Sequence, residues 1–163
     1  ALPLAGEPVE PGPSTPSVTE QQLRAVFDAA LARLAAAGAS ESALGLLRTV
    51  QLQVIDLAGN YLGMAAAAAA GHAVVYIDVN AAGHGWFVDI TPTQDEEFSA
   101  LGEAIATSAT AHADLLSVVL EELVRILDEA GLEHDNGLIV EPLAAGIRRL
   151  PRWVLDQVFA QWR

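Results

Sequence analysis

The sequence contains no cysteine, which excludes disulfides, thiolate metal sites and cysteine nucleophiles together. Long apolar runs are also missing. The run Met64 to Ala70 is far shorter than the roughly 20 residues that a membrane-spanning helix needs. The chain does not open with the charged and apolar segments of a signal peptide, so that segment is expected to be absent or already removed. These absences predict a protein that is not embedded in a membrane.

Basic residues are scarce as well, since eight arginines and no lysine face 21 acidic residues, for a formal net charge of −13. This sign of charge is wrong for holding phosphate backbones or the surface of an anionic membrane. We therefore expect no nucleic-acid partner and no membrane partner. With 163 residues, of which 52% are apolar, the chain is long enough to bury one core, and one domain is expected.

Prolines divide the chain into two parts. Residues 1–17 hold five of the eight prolines, with glycine and serine between them, which is typical of a linker that gains too little from burial to become ordered. We predict a disordered linker over residues 1–17 and a single domain over residues 18–163.

The domain opens with a predicted helix. Thr19 is suited to cap its first turn, and Gly38 to stop it. Apolar residues recur between them at helical spacing, namely Leu23, Val26, Phe27, Ala30, Leu31 and Leu34.

Strand patterns follow this helix. The alternation "VQLQVIDL" within Leu46 to Leu57 predicts a half-buried strand, and "HAVVYIDV" predicts a second one. The segment "YLGMAAAAA" between them stays open, because alanine favours helix whereas the position between two strands favours strand. "WFVDITPTQDEEF" predicts a short strand and then an acidic loop, and residues 99–112 fit either helix or loop.

Two helices are predicted after that. Asp114 can cap a main helix, Leu115 to Ala130, which Gly131 can end. Pro151 fits the first turn of a last helix, Arg152 to Trp162. A first helix, a cluster of strands and then helices predict an α+β domain.

The main helix and the turn after it have the outline of a zinc-protease motif. In HExxH sites, two histidines four residues apart bind zinc while the glutamate between them acts as the base. Here the helix reads Glu121, Glu122, then Arg125, and a histidine follows Gly131 at His134. The general-base and third-ligand positions are thus retained, whereas the two helical histidines are not.

Three segments resemble the matrixin-like metzincin domains of large secreted or surface proteins of bacteria. They are "VVYIDVNAAGHGWFVDITPTQDEEF", "ADLLSVVLEEL" and "LEHDNGLIVEPLAAGIRRLP". The resemblance implies a zincin-like fold with a small twisted sheet, a former active-site helix and a C-terminal helix. It also implies a secreted or cell-surface location, and zinc as the cofactor of the active relatives.

Laid on the family pattern HELGHxLGLxH, Glu121 and Arg125 stand at the two helical ligands, Glu122 at the base and His134 at the third ligand. Ile139 lies near the position of the expected methionine. The insertion "DEA" at residues 128–130 adds about 4.5 Å of helical rise, at 1.5 Å per residue, and carries His134 away. Arg125 keeps its positive charge and offers no lone pair. We therefore expect no metal site here and no cofactor.

The same helix fits a structural role. An apolar stripe runs along one face, and the charged residues lie opposite it or at its edges, where Glu121 and Arg125 form an i,i+4 pair. This pattern predicts a solvated face of ion pairs where a metal face once lay.

The other candidate ligands are weaker. His84 fits a turn, while His72 and His112 have no partner at ligand spacing. Acidic residues that could gather oxygens for calcium are Asp78, Asp89, Asp95, Glu96 and Glu97. No calcium-loop spacing accompanies them, so a solvated acidic loop is the preferred interpretation.

We therefore predict a non-catalytic, metalloprotease-like structural or binding domain, whose partner is a protein or the neighbouring domains of a larger chain. One alternative is a metal-dependent peptidase with unusual ligands such as Glu122, His134 and Glu141. Another is an inactive variant of a matrixin-like protease made by engineering.

Overall fold

The structure, a computed structural model, describes residues 1–67, 71–132 and 142–151. The strands are β1 (Leu2–Pro3), β2 (Gln51–Ile55), β3 (Tyr61–Ala67), β4 (Ala73–Asp78), β5 (Trp86–Phe87) and β6 (Ala113–Asp114). The helices are α1 (Glu20–Ala36), α2 (Glu41–Arg48), α3 (Thr107–Thr110) and α4 (Leu115–Glu129). The predicted α+β class is confirmed. Within the described ranges, no helix has the length and apolar character required to cross a membrane.

Local signals set the ends of the two long helices as predicted. Thr19 accepts a hydrogen bond from the backbone N–H of Gln22, whose side chain accepts one in return from the Thr19 N–H. Asp114 caps α4 by accepting from the N–H of Ser117, and Gly131 follows the helix with a φ of 69°. The predicted helix from Arg152 to Trp162 lies outside the described residues.

Helix α2 was not predicted from the sequence, and residues 46–48 form its last turn. The strand predicted from "VQLQVIDL" is confirmed as β2. Ser40 begins this helix by accepting a hydrogen bond from the N–H of Ala43 at 3.1 Å. The serine cap and the apolar spacing after it were present in the sequence.

The main sheet has the strand order β1-β3-β4-β2. β2 runs parallel to β4, while β3 is antiparallel to both β4 and β1. β3 settles the described part of the open segment, residues 61–67, in favour of a strand. The helix preference of alanine is a fraction of a kcal/mol per residue, and ladder pairing on both edges of β3 outweighs it.

The predicted linker is wrong for residues 2–5. Leu2 and Leu4 are each 1% exposed and belong to the main core. The Leu4 N–H donates to the carbonyl of Asn60 at 2.7 Å, and the Ala5 N–H donates to the carbonyl of Leu143 at 2.8 Å. This segment is therefore hydrogen-bonded on both sides, and Pro3 lies in the end strand of the sheet, where a missing N–H is tolerated.

Helix α4 lies close against the sheet and positions the residues of the predicted site. It packs on β1, β3, α1 and α2. At Gly63 in β3, an added Cβ would stand 2.7 Å from Cγ1 of Val118, so only glycine permits this approach of strand and helix. The side of α4 that carries Val118 and Glu122 is thereby directed toward β3.

Candidate functional site

The acidic residues of α4 lie inside the protein. Glu121 is 6% exposed and Glu122 is 0% exposed, in a helix that is buried along almost all of its length. The predicted solvated face of ion pairs is therefore wrong. Helical periodicity did not reveal this burial, because Glu122 lies beside Val118 on the side of α4 that meets β3, and the segment around Arg149 covers Glu121.

The carboxylate of Glu122 lies close to a backbone N–H group and to two positively charged groups. Its Oε2 accepts a hydrogen bond from the Ala65 N–H at 2.9 Å and lies 3.5 Å from Nε of Arg125. Its Oε1 lies 3.9 Å from the amino nitrogen of Ala1, but has no hydrogen-bond partner among the described residues. Burial raises the pKa of Glu122, although the amino group, Arg125 and the backbone N–H groups of Ala65 and Leu2 act against it.

Glu121 has a different partner from the predicted one. Its Oε1 lies 3.4 Å from Nε of Arg149, whereas Arg125 pairs with Glu122 at i,i+3 spacing. Burial also raises the pKa of Glu121, and the nearby Arg149 opposes that increase. Each former motif carboxylate is thus held by an arginine of its own.

The histidines do not meet at a metal site in the described structure. The predicted third ligand, His134, lies outside the described residues, as do Ile139 and Glu141. His84 lies in a turn, as predicted, and its Nε2 lies 2.9 Å from the carbonyl of Glu7. Among residues 1–67, 71–132 and 142–151, no three histidine or acidic side chains are grouped as a metal ion would require.

A buried arginine, which sequence reasoning missed, organises the acidic loop. Arg148 is 5% exposed and binds three carboxylates, those of Asp114 at 2.8 Å and of Asp89 and Asp95 at 2.9 Å. Its guanidinium also lies 4.4 Å from the ring centre of Phe98. The planar fork of arginine suits several carboxylates at once, so this residue joins the start of α4 to the loop after β5.

Arginines of this network bind two of the carboxylates that were candidate calcium ligands. Asp89 and Asp95 are bound by Arg148, and Asp95 also receives a hydrogen bond from Arg33 at 2.8 Å. Asp78 accepts from the N–H groups of Leu57 and Ala82, which fixes the turn after β4. The carboxylates of Asp78, Asp89 and Asp95 therefore bind arginine side chains and backbone N–H groups.

Comparison with protein-family models, curated proteins and solved structures finds no match for this chain. The matrixin-like resemblance accordingly stays a prediction from the residues that carry it. What the geometry adds is chemical: Glu122, at the predicted base position, is enclosed by protein, and two arginine–glutamate pairs, Arg125 with Glu122 and Arg149 with Glu121, involve the predicted motif residues.

The burial of Glu122 gives a prediction for pH. A carboxyl group whose folded pKa exceeds its unfolded value binds more protons in the folded state, so its contribution to stability falls as pH rises from about 4.5 through the folded pKa. Glu122→Gln removes this titration. We expect the free energy of unfolding of the wild type to decrease relative to the variant as pH rises above about 4.5.

Urea unfolding between about pH 4 and pH 8 measures this difference. Glu129→Gln is the matched control, because Glu129 is an exposed residue of the same helix. If the two glutamine variants show the same pH dependence relative to the wild type, then Glu122 does not titrate in a buried environment.

Proposed function

We propose that this chain is a non-catalytic, zincin-like domain that serves as a structural or binding module of a larger secreted or cell-surface protein. Its ancestry and location rest on the matrixin-like resemblance of the sequence. The absence of catalysis rests on Glu122. A general base has to reach the proton that it removes, within about 2.6 to 3.2 Å or through one water. The carboxylate of Glu122 is fully buried and is held by Ala65 and Arg125 instead.

The charges around Glu122 support the same proposal. Arg125, at the second helical ligand position, is permanently protonated and offers no lone pair to a metal. It lies 3.5 Å from Glu122, and Arg149 lies 3.4 Å from Glu121. A dication on this face would be repelled by both guanidinium groups. The ion pairs therefore favour a helix whose role is to hold the fold together.

The arrangement of elements supports the zincin-like part of the proposal. The helix aligned with the motif, α4, comes after the strands in the chain and packs on β3. The strand that contains "VVYID" is β4, which pairs with β3 and β2 within one mixed sheet. These relations are compatible with the zincin-like part of the proposal, and the order of the segments itself comes from the sequence.

Peptide hydrolysis tests this proposal directly. With zinc supplied, the protein is expected to cleave casein and general peptide substrates no faster than buffer does. The reason is that the fully buried carboxylate of Glu122 cannot reach the attacking water that a general base would activate. A strong chelator is also expected to leave the melting temperature unchanged, since the buried arginine pairs need no metal.

The glutamine variants distinguish a true activity from a contaminant. Hydrolysis that is lost in Glu122→Gln and kept in Glu129→Gln would assign the base role to Glu122 and overturn the proposal. A signal that all three proteins share equally comes from another protease in the sample.

A further inference from the structure

One edge of the main sheet is open. β2 is the last strand in the order β1-β3-β4-β2, and no residue that the structure describes pairs with its outer edge. The opposite edge is different, because β1 has only two residues and a bridge between Leu4 and Leu143 follows it. β2 has five residues, which span about 17 Å at about 3.3 Å per residue. Its outer edge therefore presents a row of backbone donors and acceptors.

This edge lacks the features that usually keep a strand from pairing with another chain. Such features are a charged side chain, a proline or a bulge. Residues 50–55, "VQLQVI", contain no charge and no proline, and their register with β4 is regular. Gln51 and Gln53 are exposed, and Ile55 is 38% exposed. β2 can therefore accept a further strand.

Opposite charges flank this neutral strand. Arg48 is the last residue of α2, and Asp56 is the first residue after β2. The side chain of Arg48 is 58% exposed and lies 3.8 Å from Glu41, and Asp56 is exposed as well. A surface ion pair at this distance contributes little, so Arg48 can exchange Glu41 for another carboxylate. The edge thus has a positive end and a negative end.

The side chains of β2 are complementary to those of a second, antiparallel β2. Facing residues of antiparallel strands point to the same side of the sheet, so a twofold axis between two such strands passes beside one central residue. With Leu52 at the centre, Val50 faces Val54 and Gln51 faces Gln53. The valines and leucines meet on the side of the sheet that packs in the main core. The glutamine amides, which both donate and accept hydrogen bonds, meet on the other side.

The same register also brings the charges together. Each Arg48 then faces Asp56 of the other copy, so an ion pair closes the ladder at either end. A register centred on Gln53 sets Val50 against Asp56 instead and loses both ion pairs. Charge and side-chain type therefore favour one register, and they favour a second copy of this chain as the added strand.

We propose that β2 pairs with β2 of a second copy, antiparallel and centred on Leu52, so that the two main sheets join edge to edge. The net charge of −13 opposes contact between copies over most of the surface. At physiological salt this repulsion is screened beyond about 8 Å, and the edge of β2 is itself neutral. The proposal goes beyond the function proposed above, because it uses no residue of α4 and does not depend on Glu122.

Sedimentation velocity at concentrations from about 10 µM to about 1 mM, in about 0.15 M salt, tests the proposal. We expect the dimer to be minor at the lower concentration and to increase with concentration, because a short ladder makes a small interface. Arg48→Glu and Asp56→Arg each set like charges against each other at both ends of the ladder. Each is therefore expected to weaken dimerisation at least about fivefold.

The combination of the two substitutions restores opposite charges at both ends. It is expected to dimerise within about twofold of the wild type. Glu103→Arg is the matched control for Asp56→Arg, because it makes the same change in net charge at an exposed residue of the loop after β5. Net charge alone predicts that both variants dimerise more strongly, since a less negative chain repels its copies less.

The outcomes separate the proposal from its alternatives. If Asp56→Arg strengthens dimerisation as Glu103→Arg does, or if the combined variant does not recover, then the proposed register is wrong. A chain that stays monomeric at about 1 mM overturns the proposal and leaves the edge to a strand of another protein.

Amide hydrogen exchange locates the contact without any substitution. Backbone N–H groups on the outer edge of β2 are expected to exchange more slowly at about 1 mM than at about 10 µM, whereas the N–H of the exposed Leu101 is not. Equal exchange of β2 in a sample that dimerises would place the interface elsewhere and overturn the proposal. If circular dichroism shows that Arg48→Glu is unfolded, Asp56→Arg and this measurement decide. These results leave the hydrolysis test of Glu122 unaffected.

Discussion

Replacing both Leu2 and Leu4 by alanine is expected to unfold much of the protein at room temperature. Each leucine is 1% exposed and packs in the main core. Truncation of a buried leucine to alanine costs about 2 to 5 kcal/mol, while the total stability of a domain is about 5 to 15 kcal/mol. Two such losses in one segment therefore remove a large part of the total.

The single variants Leu2→Ala and Leu4→Ala allow a quantitative measurement by urea unfolding, monitored by circular dichroism. We expect each to lose about 2 to 5 kcal/mol. Leu101→Ala removes the same atoms from a side chain that is 86% exposed, so it should change stability by less than about 0.5 kcal/mol. Should all three variants behave alike, residues 1–5 would belong to the loose linker that the five prolines of residues 1–17 indicate.

The sequence predicts best those elements whose signals are local. The cap at Thr19, the cap at Asp114 and the glycine after α4 are each read from a few neighbouring residues, and the structure confirms all three. β4 is predicted equally well, because its β-branched residues favour a strand that is buried on both sides.

Elements that depend on remote pairing are harder to predict. β1 contains Pro3 and only two residues, and it becomes a strand because β3 and Leu143 offer hydrogen bonds on either side. β3 is rich in alanine, and its conformation is decided by its two neighbouring strands. The strands that pair with β1 and β3 cannot be identified from a local window of sequence. Composition alone therefore indicated a linker for β1 and left β3 undecided between helix and strand.

The same contrast between local sequence signals and contacts with remote residues holds for the candidate site. That Glu121 and Arg125 stand at replaced metal-ligand positions, with Glu122 at the base position, stays a prediction from the resemblance. The spacing of these residues did not indicate burial, because the covering groups come from residues near Ala1 and near Arg149, far from α4 along the chain. The position of His134 relative to these residues stays a prediction.

Removal of Arg148 is expected to have the second large effect. Arg148 binds the carboxylates of Asp89 and Asp114, which are 4% and 1% exposed. Removing one partner of a buried ion pair leaves an uncompensated charge and costs about 3 to 5 kcal/mol. Here one substitution leaves two such charges, so we expect Arg148→Met to reach at least the upper end of that range.

Asp95 adds a pH dependence to the wild type. Burial raises its pKa, but hydrogen bonds and charge from Arg33 and Arg148 outweigh that effect and hold the pKa of Asp95 below its ordinary value of 3.8. A lowered folded pKa contributes stability above the unfolded value, and this contribution is lost as pH falls through the folded pKa. The wild type is therefore expected to lose this stabilisation in the range below about pH 4.

The Arg148→Met variant should be less sensitive to acid than the wild type. Arg148 is one of the two arginines that lower the pKa of Asp95, so its removal takes away part of the stabilisation that the wild type loses in acid. Urea unfolding at several pH values should show the stability difference between wild type and variant shrinking as pH falls from about 7 toward 3. Arg48→Ala is the control, because Arg48 pairs with Glu41 on the surface at 3.8 Å, and little change is expected at any pH. A small difference for Arg148→Met would show that Asp89 and Asp114 do not rely on this arginine, and a difference that does not change with pH would show that Arg148 does not lower the pKa of Asp95.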